Sequence, residues 1–319
     1  MAEPNRNLTP EELCNILVAS KERGDEYFSE QHKLKVQISG AEGLLLKITL
    51  GNQTNFGIEL QKLHQKGNSI PEGIVQLRSL LFQYYRKSHD TIIIYCNRPD
   101  KVLEDIIEHL KTEFGMQLEE LKIGPGHFDF LSVQSISHWL RAKQYPLKCL
   151  YVLDGGVPMD QDQFKFILDN IKPTDTVYTY VKLPPGFSYN FDNTCQTIYI
   201  GGCGEWLTLA NLLNTRSHDI FVFGSSFTNR DIVEYLNQWA PHPTEVGNEA
   251  MVIQLQELVE IATIVSQTPG SQEIARYHHH SIEERRIKFQ DGRMVHFEVT
   301  STRPRELMMY LYPARPEDQ

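Results

Sequence analysis

The sequence predicts an α/β protein built as a leucine-rich-repeat-like solenoid of strand–helix units, with a small β cap at the C-terminus. From Thr91 onward, β-rich runs begin roughly 20–30 residues apart, and most gaps hold one helical pattern. Two runs match L-x-x-L-x-(apolar), LEELKI at residues 118–123 and LKCLYV at residues 147–152. Near the C-terminus, alternating runs flank Asp291-Gly292, a turn pair typical of a β-hairpin.

The solenoid follows from how such units bury their apolar residues. A single strand–helix unit cannot cover both of its faces, so stacked neighbours share one continuous core. A doubly wound α/β sheet also alternates strands with helices and stays open as an alternative. The short helices and the irregular gaps between them favour the solenoid.

The N-terminal third begins with a predicted helix over residues 9–28. Thr9 can act as its N-cap, Pro10 suits the first helical position, and Glu12 completes a capping box. Strands are predicted over residues 34–38 and 44–50. Apolar spacing then predicts a helix over residues 74–85.

The remaining elements follow the repeat, and their ranges define three predicted regions. Strands are predicted at residues 91–95, 118–123, 147–153, 176–181, 197–200, 219–223, 250–255, 286–289, 294–299 and 307–312. Helices are predicted at residues 102–114, 133–140, 164–171, 207–213 and 229–239. Residues 266–272 suggest a linker. The regions are a helical segment (1–30), a repeat region (31–270) and a β cap with a tail (271–319).

Composition excludes several classes of function. The 319 residues carry a formal net charge of -10, which argues against nucleic-acid or anionic-membrane partners that need excess Lys and Arg. No run reaches the roughly 20 apolar residues of a membrane span, and the polar first seven residues do not form a signal peptide. Five widely spaced cysteines suit reduced thiols, so we expect a cytoplasmic or nuclear protein. They are Cys14, Cys96, Cys149, Cys195 and Cys203.

Gly201-Gly202-Cys203-Gly204 is the sequence's strongest candidate for a cofactor site. It follows a strand and precedes a helix, as phosphate-binding loops do. It lacks the Gly-Lys-Ser/Thr and G-x-G-x-x-G patterns, so we interpret it as a turn and expect no cofactor. Asp154 after a strand is compatible with a catalytic group or with a turn residue.

The remaining reactive residue types give weaker signals. His278-His279-His280 is interpreted as a solvated segment, because adjacent side chains on an extended chain point opposite ways. His127, His138 and His296 are interpreted as isolated, and Cys203 near Trp206 matches no cysteine-protease signature. No catalytic or metal-binding residue is therefore predicted. The tryptophans on helical faces, Trp139, Trp206 and Trp239, are interpreted as core or interface anchors.

The stretch from Trp206 to Trp239 carries a family resemblance. It contains WLTLANLL, then DIFVFGSSFTNRDIVEYLNQW, in which Asp231, Ile232, Tyr235, Leu236 and Trp239 fit a D-(apolar)-N-x-F-L-K-x-W helix. With the Asp291-Gly292-Arg293 hairpin, the chain resembles nematode F-box proteins with a type 2 F-box-associated domain over roughly residues 30–312. Residues 8–23 resemble the second half of an F-box, and the first half is absent.

The resemblance implies a non-catalytic substrate-recognition subunit of a cullin-type ubiquitin ligase. In that family the F-box binds a Skp-type adaptor, and a separate domain captures the target protein. The residues implied to bind the adaptor are Leu8, Pro10, Leu13, Ile16 and Leu17. The incomplete box leaves open a stand-alone protein-binding module without an adaptor, and a small-molecule α/β enzyme is the third hypothesis.

Overall fold

The computed structural model describes eleven stretches of the chain, which contain sixteen β-strands and six α-helices. They are residues 32–39, 43–50, 53–68, 70–77, 80–88, 91–124, 130–154, 158–190, 195–239, 249–279 and 282–312. The chain divides into two compact units. The first comprises Met1–Val157 with Asp169–Ile171, and the second comprises Pro158–Leu168 with Lys172–Gln319. Both units are mixed α/β structures with eight strands each.

The first unit has the strand order β8-β7-β1-β2-β3-β6-β5-β4. Pairing is parallel for β1–β7, β7–β8 and β3–β6 and antiparallel elsewhere. Its strands are β1 (His32–Ser39), β2 (Gly43–Leu50), β3 (Gln53–Lys62), β4 (Gly73–Leu77), β5 (Leu80–Ser88), β6 (Thr91–Cys96), β7 (Gln117–Ile123) and β8 (Cys149–Leu153). Its helices are α1 (Pro99–Phe114) and α2 (Phe130–Ala142).

The second unit has the strand order β13-β14-β15-β16-β12-β11-β10-β9. Strands β9 to β12 are parallel, and β12, β16, β15, β14 and β13 pair antiparallel. Its strands are β9 (Thr176–Tyr180), β10 (Thr197–Ile200), β11 (Asp219–Val222), β12 (Glu249–Gln254), β13 (Ser271–His279), β14 (Ile282–Phe289), β15 (Met294–Thr300) and β16 (Arg303–Tyr312). Its helices are α3 (Gln161–Asn170), α4 (Leu209–Asn214), α5 (Asn229–Gln238) and α6 (Ile261–Gln267). The last two residues of α3 are assigned to the first unit.

Local sequence signals explain where several helices begin and end. Pro99 occupies the first turn of α1, and Gly115 ends the helix in the left-handed conformation with φ 66°. Helix α5 begins at a capping box formed by Thr228 and Asp231. The Thr228 hydroxyl accepts a hydrogen bond from the Asp231 amide at 3.3 Å, and the Thr228 amide donates to the Asp231 carboxylate at 2.7 Å.

Alternation along the strands builds the core. Ile92, Ile94 and Leu121 are almost fully buried in the first unit, as are Val177 and Val222 in the second. The intervening side chains are half-exposed, so each of these strands presents one buried and one partly open face. None of the described helices has the length and apolar character needed to cross a membrane.

Most predicted elements from residue 91 onward are confirmed, but the first unit contains a correction. The helix predicted at residues 74–85 is wrong, because this segment forms β4 and β5. Antiparallel pairing of β5 with β6 outweighs the local helical spacing there. Strands β3 and β13 and helix α6 were not predicted, and the linker predicted at residues 266–272 is wrong, because these residues end α6 and begin β13. The predicted helix at residues 9–28 lies outside the described residues.

Candidate recognition surface

The residues implied to bind an adaptor lie outside the described part of the chain, so their role stays a prediction. They are Leu8, Pro10, Leu13, Ile16 and Leu17. The candidate surface therefore consists of residues in the described part of the chain. Most of it belongs to the parallel strands of the second unit.

The glycine segment after β10 forms a tight turn held by backbone hydrogen bonds. The Gly201 amide donates to the Thr179 carbonyl at 2.7 Å, and the Gly204 amide donates to the Phe223 carbonyl at 2.9 Å. The Cys203 amide donates to the Gly201 carbonyl at 2.9 Å. Phosphate-binding loops direct such amides at the ligand, whereas these three are directed at backbone carbonyls. The geometry favours the turn interpretation.

The same glycines make room for the ring of Tyr180. A Cβ atom at Gly201 would lie 2.7 Å from Cδ2 of Tyr180, and one at Gly202 would lie 2.8 Å from its Cε2. Gly202 also has φ +73°, a conformation that other residues adopt with strain. The ring of Tyr180 therefore packs directly against the turn, and the residue remains 51% exposed.

Aromatic residues line the half-exposed side of the parallel strands. Tyr178, Tyr199 and Phe221 occupy directly paired positions on β9, β10 and β11. The rings of Tyr178 and Tyr199 are stacked with centroids 4.5 Å apart, and Tyr199 lies 5.9 Å from Phe221 and 5.4 Å from Phe223. We call Tyr178, Tyr180, Tyr199, Phe221 and Phe223 the aromatic face.

Strand periodicity explains why these rings stay partly open to solvent. The residues that precede them, Val177, Ile198 and Ile220, point to the opposite side and are at most 5% exposed. Because successive side chains alternate between faces, each tyrosine or phenylalanine must then lie on the outer side. The fold thus presents a row of apolar rings without burying them in its own core.

Tyr178 contributes an uncharged phenol to the aromatic face. Burial raises its pKa, and the neighbouring hydroxyls of Tyr199 and Tyr180 raise it further. The phenol therefore stays protonated at neutral pH and can donate or accept a hydrogen bond. The aromatic face combines apolar area with a few uncharged polar tips.

In the first unit, lysines at the surface pair with glutamates of other strands. Lys35 of β1 lies 2.9 Å from Glu120 of β7, and Lys87 of β5 lies 2.7 Å from Glu59 of β3. Pairs with an exposed lysine contribute little to stability or to binding. The aromatic face is thus the stronger candidate for recognition within the described residues.

The three tryptophans are confirmed as core residues. Each is at most 7% exposed, and Trp206 makes edge contacts with Phe164 and Phe187 at centroid distances of 5.7 and 6.1 Å. Trp139 packs against Tyr145 at 4.9 Å. These side chains hold helices and loops in place, so the exposed aromatic surface comes from tyrosine and phenylalanine.

Burial suppresses the ionisation of two of the described thiols. Cys96 and Cys195 are buried, and Cys149 and Cys203 are half-buried. Burial, with the nearby Asp100 carboxylate, raises the pKa of Cys96 to about 12, and burial also raises that of Cys195. Both thiols therefore stay protonated and poorly nucleophilic at neutral pH. Asp154 is buried directly after β8, and the turn that follows lies outside the described residues.

The sequence interpretation of His296 as an isolated residue is wrong. Its Nε2 lies 3.4 Å from a carboxylate oxygen of Glu284 and 3.6 Å from one of Glu298. His138 is an exposed residue of α2, and His127 and His280 lie outside the described residues. Among the described residues, Glu284, His296 and Glu298 are the group that could hold a metal ion.

Comparison with known proteins identifies no relative. No protein-family model, curated protein or solved structure matches the chain.

Proposed function

We propose that this chain is a non-catalytic protein-recognition module whose binding surface is the aromatic face of the second unit. The observation that carries the proposal is the row formed by Tyr178, Tyr199 and Phe221, whose rings contact one another and remain half-exposed. Rows of large apolar side chains held open to solvent mark protein interaction sites. Tyrosine is also among the residues enriched where binding energy concentrates.

The energetics of aromatic residues support this role. A tyrosine or phenylalanine can bury about 150–250 Å² on binding. Side chains already ordered by stacking lose little further entropy when a partner docks. Ring faces also attract cations, and the formal net charge of -10 favours a basic partner. We therefore propose a polypeptide partner whose contacting segment carries aliphatic and cationic side chains.

Within this proposal the second unit belongs to a leucine-rich-repeat-like solenoid. Strands β9, β10, β11 and β12 are neighbours in chain order and all parallel, which suits stacked strand–helix units. A doubly wound sheet instead reverses its strand order and places ligands at the reversal. Strand β16 then pairs antiparallel with β12 and begins the proposed β cap.

The family resemblance extends the proposal to a cullin-type ubiquitin ligase. In this version the chain is a substrate-recognition subunit, and its N-terminal segment binds a Skp-type adaptor through the five residues named above. The alternative is a stand-alone module that captures its partner without an adaptor. Both versions use the aromatic face, so adaptor binding distinguishes them without affecting the central proposal.

The test of the aromatic face is quantitative co-purification from cells that express the full chain. Proteins bound by the wild-type chain should be depleted about fivefold or more by Tyr199→Ala or Phe221→Ala, because central aromatic anchors each contribute about 1–3 kcal/mol. The matched control is Leu131→Ala, which removes an exposed side chain of α2. Equal recovery by all variants would overturn the proposal.

The test of the ligase version is direct binding of the purified chain to a Skp-type adaptor. A complete F-box protein serves as the positive control. Binding that is lost in a Leu13→Asp and Leu17→Asp double variant supports the ligase version. Absence of binding, while the control binds, selects the stand-alone module.

A further inference from the structure

Two glutamates face each other across the hairpin of the second unit. Glu284 on β14 and Glu298 on β15 are direct partners in the antiparallel register. Like charges placed directly opposite one another destabilise a strand pair. A cation between the two carboxylates would remove this repulsion.

His296 directs a nitrogen at the same place. It lies two residues before Glu298 on β15, so both side chains emerge on one side of the sheet. The residue is 9% exposed, and its buried Nε2 makes no hydrogen bond. An imidazole nitrogen that makes no hydrogen bond is available as a lone-pair donor to a metal ion.

The distances match the coordination sphere of a small divalent ion. His296 Nε2 lies 3.4 Å from Glu284 Oε2 and 3.6 Å from Glu298 Oε1, and the three donor atoms lie within 4.8 Å of one another. In a tetrahedral zinc site with bonds of about 2.1 Å, neighbouring donors are about 3.4 Å apart. The two distances to the imidazole nitrogen are therefore close to the edges of such a tetrahedron.

We propose that Glu284, His296 and Glu298 form a binding site for a divalent transition-metal ion of the zinc class. One imidazole and two carboxylates suit Zn²⁺, Mn²⁺ or Fe²⁺, whereas Ca²⁺ and Mg²⁺ prefer oxygen ligands throughout. Among the three, Zn²⁺ binds nitrogen and oxygen ligands most tightly. Three protein ligands leave a further coordination position for water or for a group from a partner.

The neighbouring residues shape this site. The ring of Tyr310 on β16 packs against the imidazole with centroids 5.7 Å apart, which restricts the orientation of His296. Arg285 points to the other side of β14 and pairs with Glu273 and Glu283. Glu283 is therefore a matched control, since it is the adjacent glutamate on the same strand and its partner is an arginine.

The test uses the purified full chain, stripped with a chelator and titrated with ZnCl₂ by calorimetry. We expect one Zn²⁺ per chain, at least about 100-fold weaker binding for His296→Ala and Glu298→Gln, and unchanged binding for Glu283→Gln. Replacing Zn²⁺ with Co²⁺ should give visible absorption bands that the first two variants lack. Zn²⁺ should also raise the Tm of the wild-type chain and leave that of Glu298→Gln unchanged.

The histidine run at residues 278–280 is the main competing source of zinc affinity. A variant with all three of these histidines replaced by alanine should still bind one Zn²⁺ with wild-type affinity. Loss of binding in that variant together with wild-type binding by Glu298→Gln would overturn the proposal. Absence of any saturable Zn²⁺ binding by the folded wild-type chain would overturn it as well.

Discussion

The ring of Tyr178 lies parallel to the ring of Tyr199, with an interplanar angle of 7° and centroids 4.5 Å apart. The two residues are direct partners on adjacent parallel strands. Each ring thus fixes the orientation of its neighbour before any partner binds. The aromatic face is therefore ordered in the free protein, which reduces the entropy cost of binding.

The stack should be measurable as a coupling free energy. In a double-mutant cycle with Tyr178→Ala and Tyr199→Ala, we expect a coupling of about 0.5–1.5 kcal/mol in the free energy of unfolding, because stacked rings stabilise each other beyond their burial. Urea denaturation provides the measurement. The control cycle pairs Tyr178→Ala with Tyr277→Ala, an exposed tyrosine of β13, and should be additive. Additivity in both cycles would contradict the stacked arrangement.

Gly124 is predicted to be the most sensitive glycine of the first unit. It has φ +90°, and a Cβ atom there would lie 1.7 Å from the Leu153 carbonyl oxygen. Gly124→Ala must separate the ends of β7 and β8, so we expect a loss of about 3 kcal/mol or more. Gly115 also has positive φ but open space around it, and Gly115→Ala should cost only about 1 kcal/mol.

The measurement for this glycine pair is the urea midpoint of each variant, followed by tryptophan fluorescence. Both substitutions carry the penalty for positive φ, so their difference isolates the steric contact with the backbone of β8. Equal destabilisation by the two variants would show that this contact is absent.

Arg293 is predicted to hold the C-terminal end of α5 against the hairpin turn. Its guanidinium lies 5.0 Å from the ring of Trp239 and 4.7 Å from that of Phe289, and it donates hydrogen bonds to the Trp239 carbonyl and to Asp291. Arg293→Ala should cost about 2–3 kcal/mol in thermal or urea unfolding. Arg293→Lys should recover less than half of this, because lysine lacks the planar fork.

Arg303 provides the control for that prediction. Its side chain is 68% exposed and pairs with Glu306 on the surface, so Arg303→Ala should cost about 0.5 kcal/mol or less. If Arg293→Ala lowered the free energy of unfolding as little as Arg303→Ala does, the contacts of Arg293 with Trp239 and Phe289 would contribute nothing to stability.

Thiol reactivity should follow the burial of the cysteines. Cys96, with a pKa of about 12, should be ionised in only about one molecule in 10,000 at pH 8. The stability that its neutral thiol contributes is complete below the unfolded pKa of 9.0 and is lost as the pH rises from there toward 12. Iodoacetamide labelling followed by peptide mass spectrometry should modify Cys96 and Cys195 far more slowly than the half-exposed Cys203. Urea should abolish the difference. Equal native rates would contradict the buried positions.

Much of the fold from residue 91 onward is readable from the sequence, because most strands there have alternating apolar residues and helices α4 and α5 begin at threonine caps. The hairpin of β4 and β5 was missed, since Ile74 and Leu81 also satisfy helical spacing and only pairing with β6 selects the strand. Strand β3 could have been predicted, because its apolar residues Phe56, Ile58 and Leu60 alternate along the sequence.

The candidate sites depend on register, which is why sequence reasoning found neither of them. Tyr178, Tyr199 and Phe221 become neighbours only once three strands are aligned. For the glutamate–histidine cluster, a two-residue turn at Asp291-Gly292 would place Glu284 opposite Val299, and the three-residue loop that forms instead places it opposite Glu298. The alignment of strands in the folded protein thus determines which side chains become neighbours, and local sequence patterns do not.

Site-specific photo-crosslinking tests the central claim most directly. A photoreactive phenylalanine derivative replaces Phe221 on the aromatic face or, as the control, Leu131 on the exposed side of α2. The account predicts that illumination in cells attaches a protein partner at position 221 and none at position 131. Crosslinking of the same partner at position 131, with none at position 221, would contradict recognition through the aromatic face.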